Sequence, residues 1–419
     1  MNSAVASDIV VDNFPAAHRS IRIAFVTETY PPEVNGVAIT TARVVEGLRQ
    51  RNHDIQLIRL RQGAHELARQ PEGAPQCTAP ETRGTSIGGG ARMHEVLMRG
   101  LPIPSYPNLR MGVPCKRLLV KTWSTRRPDV VHIATEGPLG WSALQAALHL
   151  KLPVTSDFRT NFHAYSRHYG IGWLHKPIMA YLRKFHNRTL CTMVPTEALR
   201  RDLEASGFRN LTVVSRGVDT AQFSPGRRDE TLRQEWGASP QDLVVVHVGR
   251  LASEKNLTLL AAAFEAIQRK DSRARLVMVG TGPLMPELRL RCPTAVFAGQ
   301  RTGDDLARHY ASADLFLFPS LTETFGNVTP EAMASGLPVV AFDYAAAAQL
   351  INQGENGVRV PFGDSQTFIS RSLDLALDTR RRQTLGGMAR RSACEWGWER
   401  VVPHFEAVLA RAMSPVGAL

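Results

Sequence analysis

The sequence predicts an α/β protein of two doubly wound domains. Three observations carry this: short apolar runs alternate with helical patterns, the alternation occurs twice, and a charged Gly/Pro-containing segment separates the two series. In the first series, IRIAFVT (21–27) reads as a buried strand, ETYPPEVNGV as a loop, and the pattern through Leu48 as a helix. DIQLIRL (54–60) fits a second strand, and 62–112, rich in Gly, Pro, Ala and Arg, reads as mostly loop. VVHIAT (130–135) and PVTSDF (153–158) are further strands, joined by the helical WSALQAALHL. The second series runs LVVVHVG from Leu243, RLVMVG (275–280), AVFAG (295–299), DLFLFPS (314–320) and PVVAF (338–342). The expected organisation is a loose N-terminus over 1–20, a domain over 21–214, a linker over 215–230, a second domain over 231–397 and a last segment over 398–419. Sheets of this type bind ligands beyond the carboxyl ends of their strands, so two of them facing each other put the site in the cleft between.

Composition bounds the function. The 419 residues are 43% hydrophobic and 21% charged, which excludes a disordered tract, a collagen-like repeat and a disulfide-stapled mini-protein. No apolar run reaches the roughly 18 residues of a membrane span, and the first twenty residues lack signal-peptide character, so a cytoplasmic protein is expected. Cys77, Cys115, Cys191, Cys292 and Cys394 form no C-x-x-C pair and are read as reduced thiols rather than a disulfide framework or a zinc site. The net charge of +12 is unevenly placed: residues 1–220 hold 28 basic against 17 acidic side chains, residues 221–419 hold 22 against 21. Within 101–200 the count is 14 against 4, a field suited to an anionic surface such as phospholipid headgroups or nucleic acid, although any single charge is more simply a solvated one.

Three stretches carry chemistry. Asn35-Gly36-Val37 opens the helix after the first strand, where glycine admits a ligand to the backbone and the helix start welcomes an anion; ordinary turn chemistry explains such a glycine as well. The dinucleotide fingerprint G-x-G-x-x-G does not occur there. Arg250 and Lys255 stand just past the strand LVVVHVG, where a guanidinium fork and an ammonium point charge suit a diphosphate and a departing nucleoside diphosphate. The stretch 322–336, TETFGNVTPEAMASG, reads as loop then helix, with the backbone N–H groups of Gly326 to Thr329 facing a bound phosphate. Glu323 and Glu331 flank that turn and suit sugar hydroxyls, while a glutamate in a first helical turn also complements the dipole.

Over nearly its whole length the sequence resembles the family-4 retaining glycosyltransferases of the GT-B fold. The matching segments are TETYPPEVNGVA, VPTEALRRDLEASGF, SRGVDTAQFSP, VGRLASEKNLTLL, VGTGP, ASADLFLFPSLTETFGNVTPEAMASGLPVVA and NGVRVPFGD. The resemblance implies two Rossmann-like domains facing across a cleft, a C-terminal nucleotide-sugar site, an N-terminal acceptor site and a last helix that crosses back to the first domain. It further implies that Glu323 meets donor-sugar hydroxyls, Glu331 the ribose, Arg250 and Lys255 the diphosphate, and Gly36 the phosphates and sugar, with the amides of Phe325, Gly326, Asn327 and Val328 completing the phosphate cradle.

Two departures stand out. The family's histidine in a Y/F-H-T segment is replaced here by Phe158-Arg159-Thr160, which leaves His163 or Arg159 to take its place. Its glycines and acid after PVVA are replaced by Ala345 to Ala348 and Gln349. No D-x-D occurs, so no metal-ligand set is expected and the cations must hold the diphosphate; the resemblance implies attack from the leaving-group face, with a phosphate oxygen taking the proton. The expected function is transfer of a mannose- or glucose-type hexose from a UDP- or GDP-sugar, with no resident cofactor, to a lipid or glycan acceptor. Docking of the basic first domain on the anionic inner face of the cell membrane goes with it, the resemblance extending to α-mannosyltransferases and to glycosyldiacylglycerol and sulfoquinovosyl-type synthases. The competing readings are a sugar-nucleotide epimerase or phosphorylase on the same fold, which needs its own catalytic groups, and a basic nucleic-acid-binding protein, for which the chain carries no motif.

Overall fold

The computed structural model describes residues 20–62, 81–85, 93–103, 106–159 and 175–414. The first sheet contains β1 (Arg22–Thr27), β2 (Asp54–Leu60), β3 (Glu81–Thr85), β4 (Met93–Met98), β7 (Val130–Ile133), β8 (Val154–Asp157), β9 (Cys191–Val194) and β10 (Leu211–Val213). Strands β5 (Gly100–Ile103) and β6 (Tyr106–Gly112) form a separate antiparallel hairpin. The sheet order is β10-β9-β8-β7-β1-β2-β4-β3, parallel except for β3 against β4. The second sheet contains β11 (Val244–Val248), β12 (Arg275–Val279), β13 (Val296–Gly299), β14 (Leu315–Phe318), β15 (Val339–Phe342) and β16 (Val358–Val360), in the order β13-β12-β11-β14-β15-β16, all parallel.

Why these runs are strands follows from their burial. Every residue of β7, β11, β14 and β15 is buried, as a parallel sheet covered on both faces requires, so continuous Val/Ile/Leu/Phe runs replace the alternation of a half-exposed strand. The second sheet accordingly has a core on each side, one around Val246, Phe316 and Tyr310, the other around Val245, Leu317 and Phe264. The tract 62–112 holds more strand than its composition announces. Strand β4 buries Val96, Leu97 and Met98 beside β2, while β5 and β6 carry the Pro and Gly that mask a short edge hairpin in sequence.

The order reverses between β1 and β7 in one sheet and between β11 and β14 in the other, which sets the carboxyl ends of those four strands as the ligand side. The last helix, Trp398–Met413, lies on the first domain: Val402, Phe405, Val408 and Leu409 pack with Phe25, Val44, Val45 and Leu48. Gly47 makes the close approach possible, since a Cβ there would stand 2.5 Å from a Val402 methyl. The two chain crossings between domains touch, with Val218 N–H donating to the Trp396 carbonyl at 2.9 Å and Gly217 packed against the Trp398 ring.

Candidate active site

The loop after β11 is shaped by close backbone contact. A Cβ at Gly280 would stand 1.9 Å from the Gly249 carbonyl oxygen, so only glycine lets the two loops lie together. From this loop Arg250 projects with its side chain 40% exposed, 3.8 Å from Glu254 Oε1, while the Glu254 carbonyl accepts from Leu321 N–H at 2.9 Å and ties the loop to the one after β14. Lys255 turns inward. Its Nζ pairs with Glu323 Oε1 and stands 5.4 Å from the centre of the Phe318 ring. Ser320 Oγ donates to the same Glu323 oxygen at 2.7 Å, and Tyr344 Oη donates to the Glu323 carbonyl at 2.9 Å.

Beyond Glu323 the chain turns through Phe325, Gly326 and Asn327 into the helix Val328–Ala334. Gly326 has φ of +92°, a left-handed value that favours glycine, and Phe325 is buried with its carbonyl accepting from Ala346 N–H at 2.8 Å. Glu331 receives the Tyr310 hydroxyl at 3.0 Å, and burial pushes its carboxyl up to about 7. Phe318, Ser320, Glu323, Thr329, Tyr344 and Ala347 line a small pocket. Across the cleft, Asn35 caps the helix Gly36–Gln50 by accepting from Ala38 N–H at 2.8 Å. Asn327 reaches over from the second domain: its Nδ2 donates to Thr40 Oγ1 at 3.2 Å and lies 3.5 Å from the Gly36 carbonyl.

The fold therefore brings together Arg250, Lys255, Glu323, the turn 325–328 and Glu331 on one side of the cleft, with Gly36 opposite. His163 lies outside the described residues. Arg159 is described, buried and ion-paired with Asp157. Sequence reasoning passed over Ser320, Tyr310 and Tyr344, whose roles depend on long-range contacts, and also two acids at the carboxyl ends of β1 and β7. Glu28 is raised by burial and held by the Leu139 N–H at 2.6 Å; Glu136 is pushed up to about 8 by burial, with a buried Oε1 that has no hydrogen-bond partner among the described residues. Both follow the apolar runs that sequence reads as strands, which was the available signal. Among the described residues no group of three or more His, Cys, Asp or Glu side chains converges as metal ligands would.

Comparison with known proteins adds three findings. The model of a family described as Glycosyltransferase Family 4 matches residues 34–222, and one described as Glycosyl transferases group 1 matches residues 242–378. The chain is 34% identical over 398 residues to a GDP-mannose-dependent alpha-mannosyltransferase of Mycobacterium tuberculosis, covering 93% of this chain and 98% of that one. It is 31% identical over 318 residues to the sulfoquinovosyl transferase SQD2 of Arabidopsis thaliana, covering 74% and 61%. Its fold superposes on the crystal structure of Anabaena Alr3699/HepE in complex with UDP with a TM-score of 0.70 at 20% identity, covering 93% of this chain and all of that one.

Proposed function

The chain belongs to the family-4 glycosyltransferases of the GT-B fold, hexosyltransferases that draw on a nucleoside-diphosphate sugar, and from that premise we propose that it moves a mannose-type hexose with retention, without a metal, to a membrane glycerolipid or glycolipid. GDP-mannose is the first donor to test, because the mannosyltransferase relatives at 30–34% identity carry it in their names; UDP-glucose is the second.

The observation that carries the reading is the Lys255–Glu323 ion pair at the switch point of the second sheet. An arriving diphosphate competes for the Lys255 ammonium, alongside Arg250, and releases Glu323 to accept hydroxyls of the sugar. Charge then builds on the diphosphate as the sugar–phosphate bond breaks, and two fixed cations stabilise that state more than the ground state. Glu331 takes the ribose hydroxyls, and the amides of the turn 325–328 complete the phosphate cradle. Proton transfer from the acceptor hydroxyl goes to a phosphate oxygen, so no enzyme nucleophile is needed.

Support for a membrane acceptor comes from the first domain. The helices Lys116–Thr125 and His175–His186 contain no acidic residue and expose Lys116, Arg117, Lys121, Lys176, Arg183 and Lys184. Leu101 and Met111 of the β5–β6 hairpin are exposed as well, giving apolar side chains for the headgroup boundary beside a cationic field. Among the described residues no helix is long and apolar enough to cross a membrane, so attachment at the inner face of the cell membrane is by docking. The test is a panel of GDP- and UDP-sugars with diacylglycerol-type acceptors in anionic vesicles. Turnover with EDTA present and an α-linked product is expected; loss of turnover with EDTA, or an inverted product, refutes the reading.

A further inference from the structure

The first domain holds a buried charge cluster that the reaction described above does not use. Asp157, at the carboxyl end of β8, accepts from Arg159 Nε at 2.5 Å, pairs with Arg159 Nη2, and lies 3.5 Å from His132 Nε2 on the neighbouring β7. Arg216, in the crossing after β10, is buried close enough for Arg159 and Asp157 both to act on it: burial and the Arg159 charge push its guanidinium down to about 9, so it is still cationic at neutral pH. Burial pushes His132 down as well, which leaves it neutral. Two guanidiniums thus share one carboxylate, a surplus of one positive charge where water is largely excluded.

Among the described residues, Arg159 Nη1 is buried with no hydrogen-bond partner. A residue that served only to hold the fold would satisfy that donor, because a buried polar group left without a hydrogen bond is costly. The cluster adjoins the second domain: Ser215, next in the chain to Arg216, accepts from Gln349 Nε2 at 3.1 Å.

We propose that Arg159 and Arg216 form an oxyanion site for a carboxylate, sulfonate or phosphate group carried by one of the two substrates, and so select for a charged donor sugar or a charged acceptor. Assigning the anion to a substrate rests on the transferase reading; the existence of the site does not. A planar guanidinium offers two parallel N–H bonds to such a group, and the Asp157 carboxylate holds Arg159 in place to do so.

The experiment has two arms. In the first, sulfate is titrated into the full-length protein by calorimetry at constant ionic strength. In the Lys255→Ala background, which removes a cation of the diphosphate cradle, sulfate still binds, adding Arg216→Gln abolishes that binding, and adding Arg216→Lys, which keeps the charge and controls for folding, weakens it. Equal binding with and without Arg216→Gln in that background overturns the proposal. In the second arm, KM is measured for UDP-glucuronate against UDP-glucose and for phosphatidylglycerol against diacylglycerol. Arg216→Gln raises KM for the charged member of one pair about tenfold or more, and the pair that responds identifies the source of the anion. An equal response of charged and neutral members in both pairs overturns the assignment to a substrate. If no sugar nucleotide is turned over by any variant, the transferase reading fails while the sulfate arm still decides the site.

Discussion

Across the cleft, the segments after β11 and β14 hold Lys255 paired with Glu323 and Glu331 bonded to Tyr310, whereas the loops after β7 and β8 leave Glu136 Oε1 and Arg159 Nη1 buried and, among the described residues, without a hydrogen-bond partner. The second-domain side keeps its central ion pair closed by internal partners that a ligand has to replace. The first-domain side keeps polar groups that a ligand has to complete. A diphosphate offers several equivalent oxygens and can displace a carboxylate from a lysine, so internal pairing there costs little specificity. Unmet donors and acceptors, by contrast, reject any partner that lacks the matching group.

The sharpest way to break this contrast is at the ion pair. Lys255→Ala is expected to lower kcat/KM about 1,000-fold, or about 4 kcal/mol of transition-state stabilisation, and Glu323→Ala by a similar order. Because each leaves the other unpaired, the double variant falls well short of the product of the two, which a double-mutant cycle in steady-state rates will read. Next in size, Phe405→Ala removes a ring of the last helix from the first domain's core and is expected to cost about 3–5 kcal/mol in urea unfolding, with the second domain's transition little changed.

A smaller effect separates Glu331 from the ion pair. Its carboxyl, ordinarily near 4.5, is raised to about 7, so the cost of burying its charge is absent below the lower value and fully present above the higher one. Glu331→Gln removes that cost, and its thermal midpoint relative to wild type is expected to rise as pH goes from about 5 to about 8. Donor KM should improve with pH through about 7 in wild type, as the carboxylate becomes available to the ribose, and stay flat in the variant. Smallest is Ala345→Gly. Ala345 has φ of +51°, a left-handed value that favours glycine, so this substitution is expected to stabilise by about 1 kcal/mol.

Much of this was legible in sequence for a plain physical reason. Fully buried parallel strands are apolar without interruption, so Val244–Val248 and Leu315–Phe318 announce themselves, and the residues that follow each run fall at the ligand side by topology alone. That placed Arg250, Lys255 and Glu323 in one neighbourhood before any coordinates. What stayed hidden is the partner of each group. Tyr310 meets Glu331 across 21 positions, and Lys255 meets Glu323 across 68. No local period encodes such pairings. Strands β3, β5 and β6 were hidden for the opposite reason, since an edge strand and a separate hairpin that carry Gly or Pro lack the apolar signature of the sheet centre.

The pairing of Val218 with Trp396 bears on how the two halves move. A chain that passes between lobes once can swivel about any axis through that point; one that passes twice, with the passages bonded side by side, has an axle. Such an axle resists twisting and sliding more than rotation about its own line, which favours one register for the Gly36–Asn327 contact across the cleft.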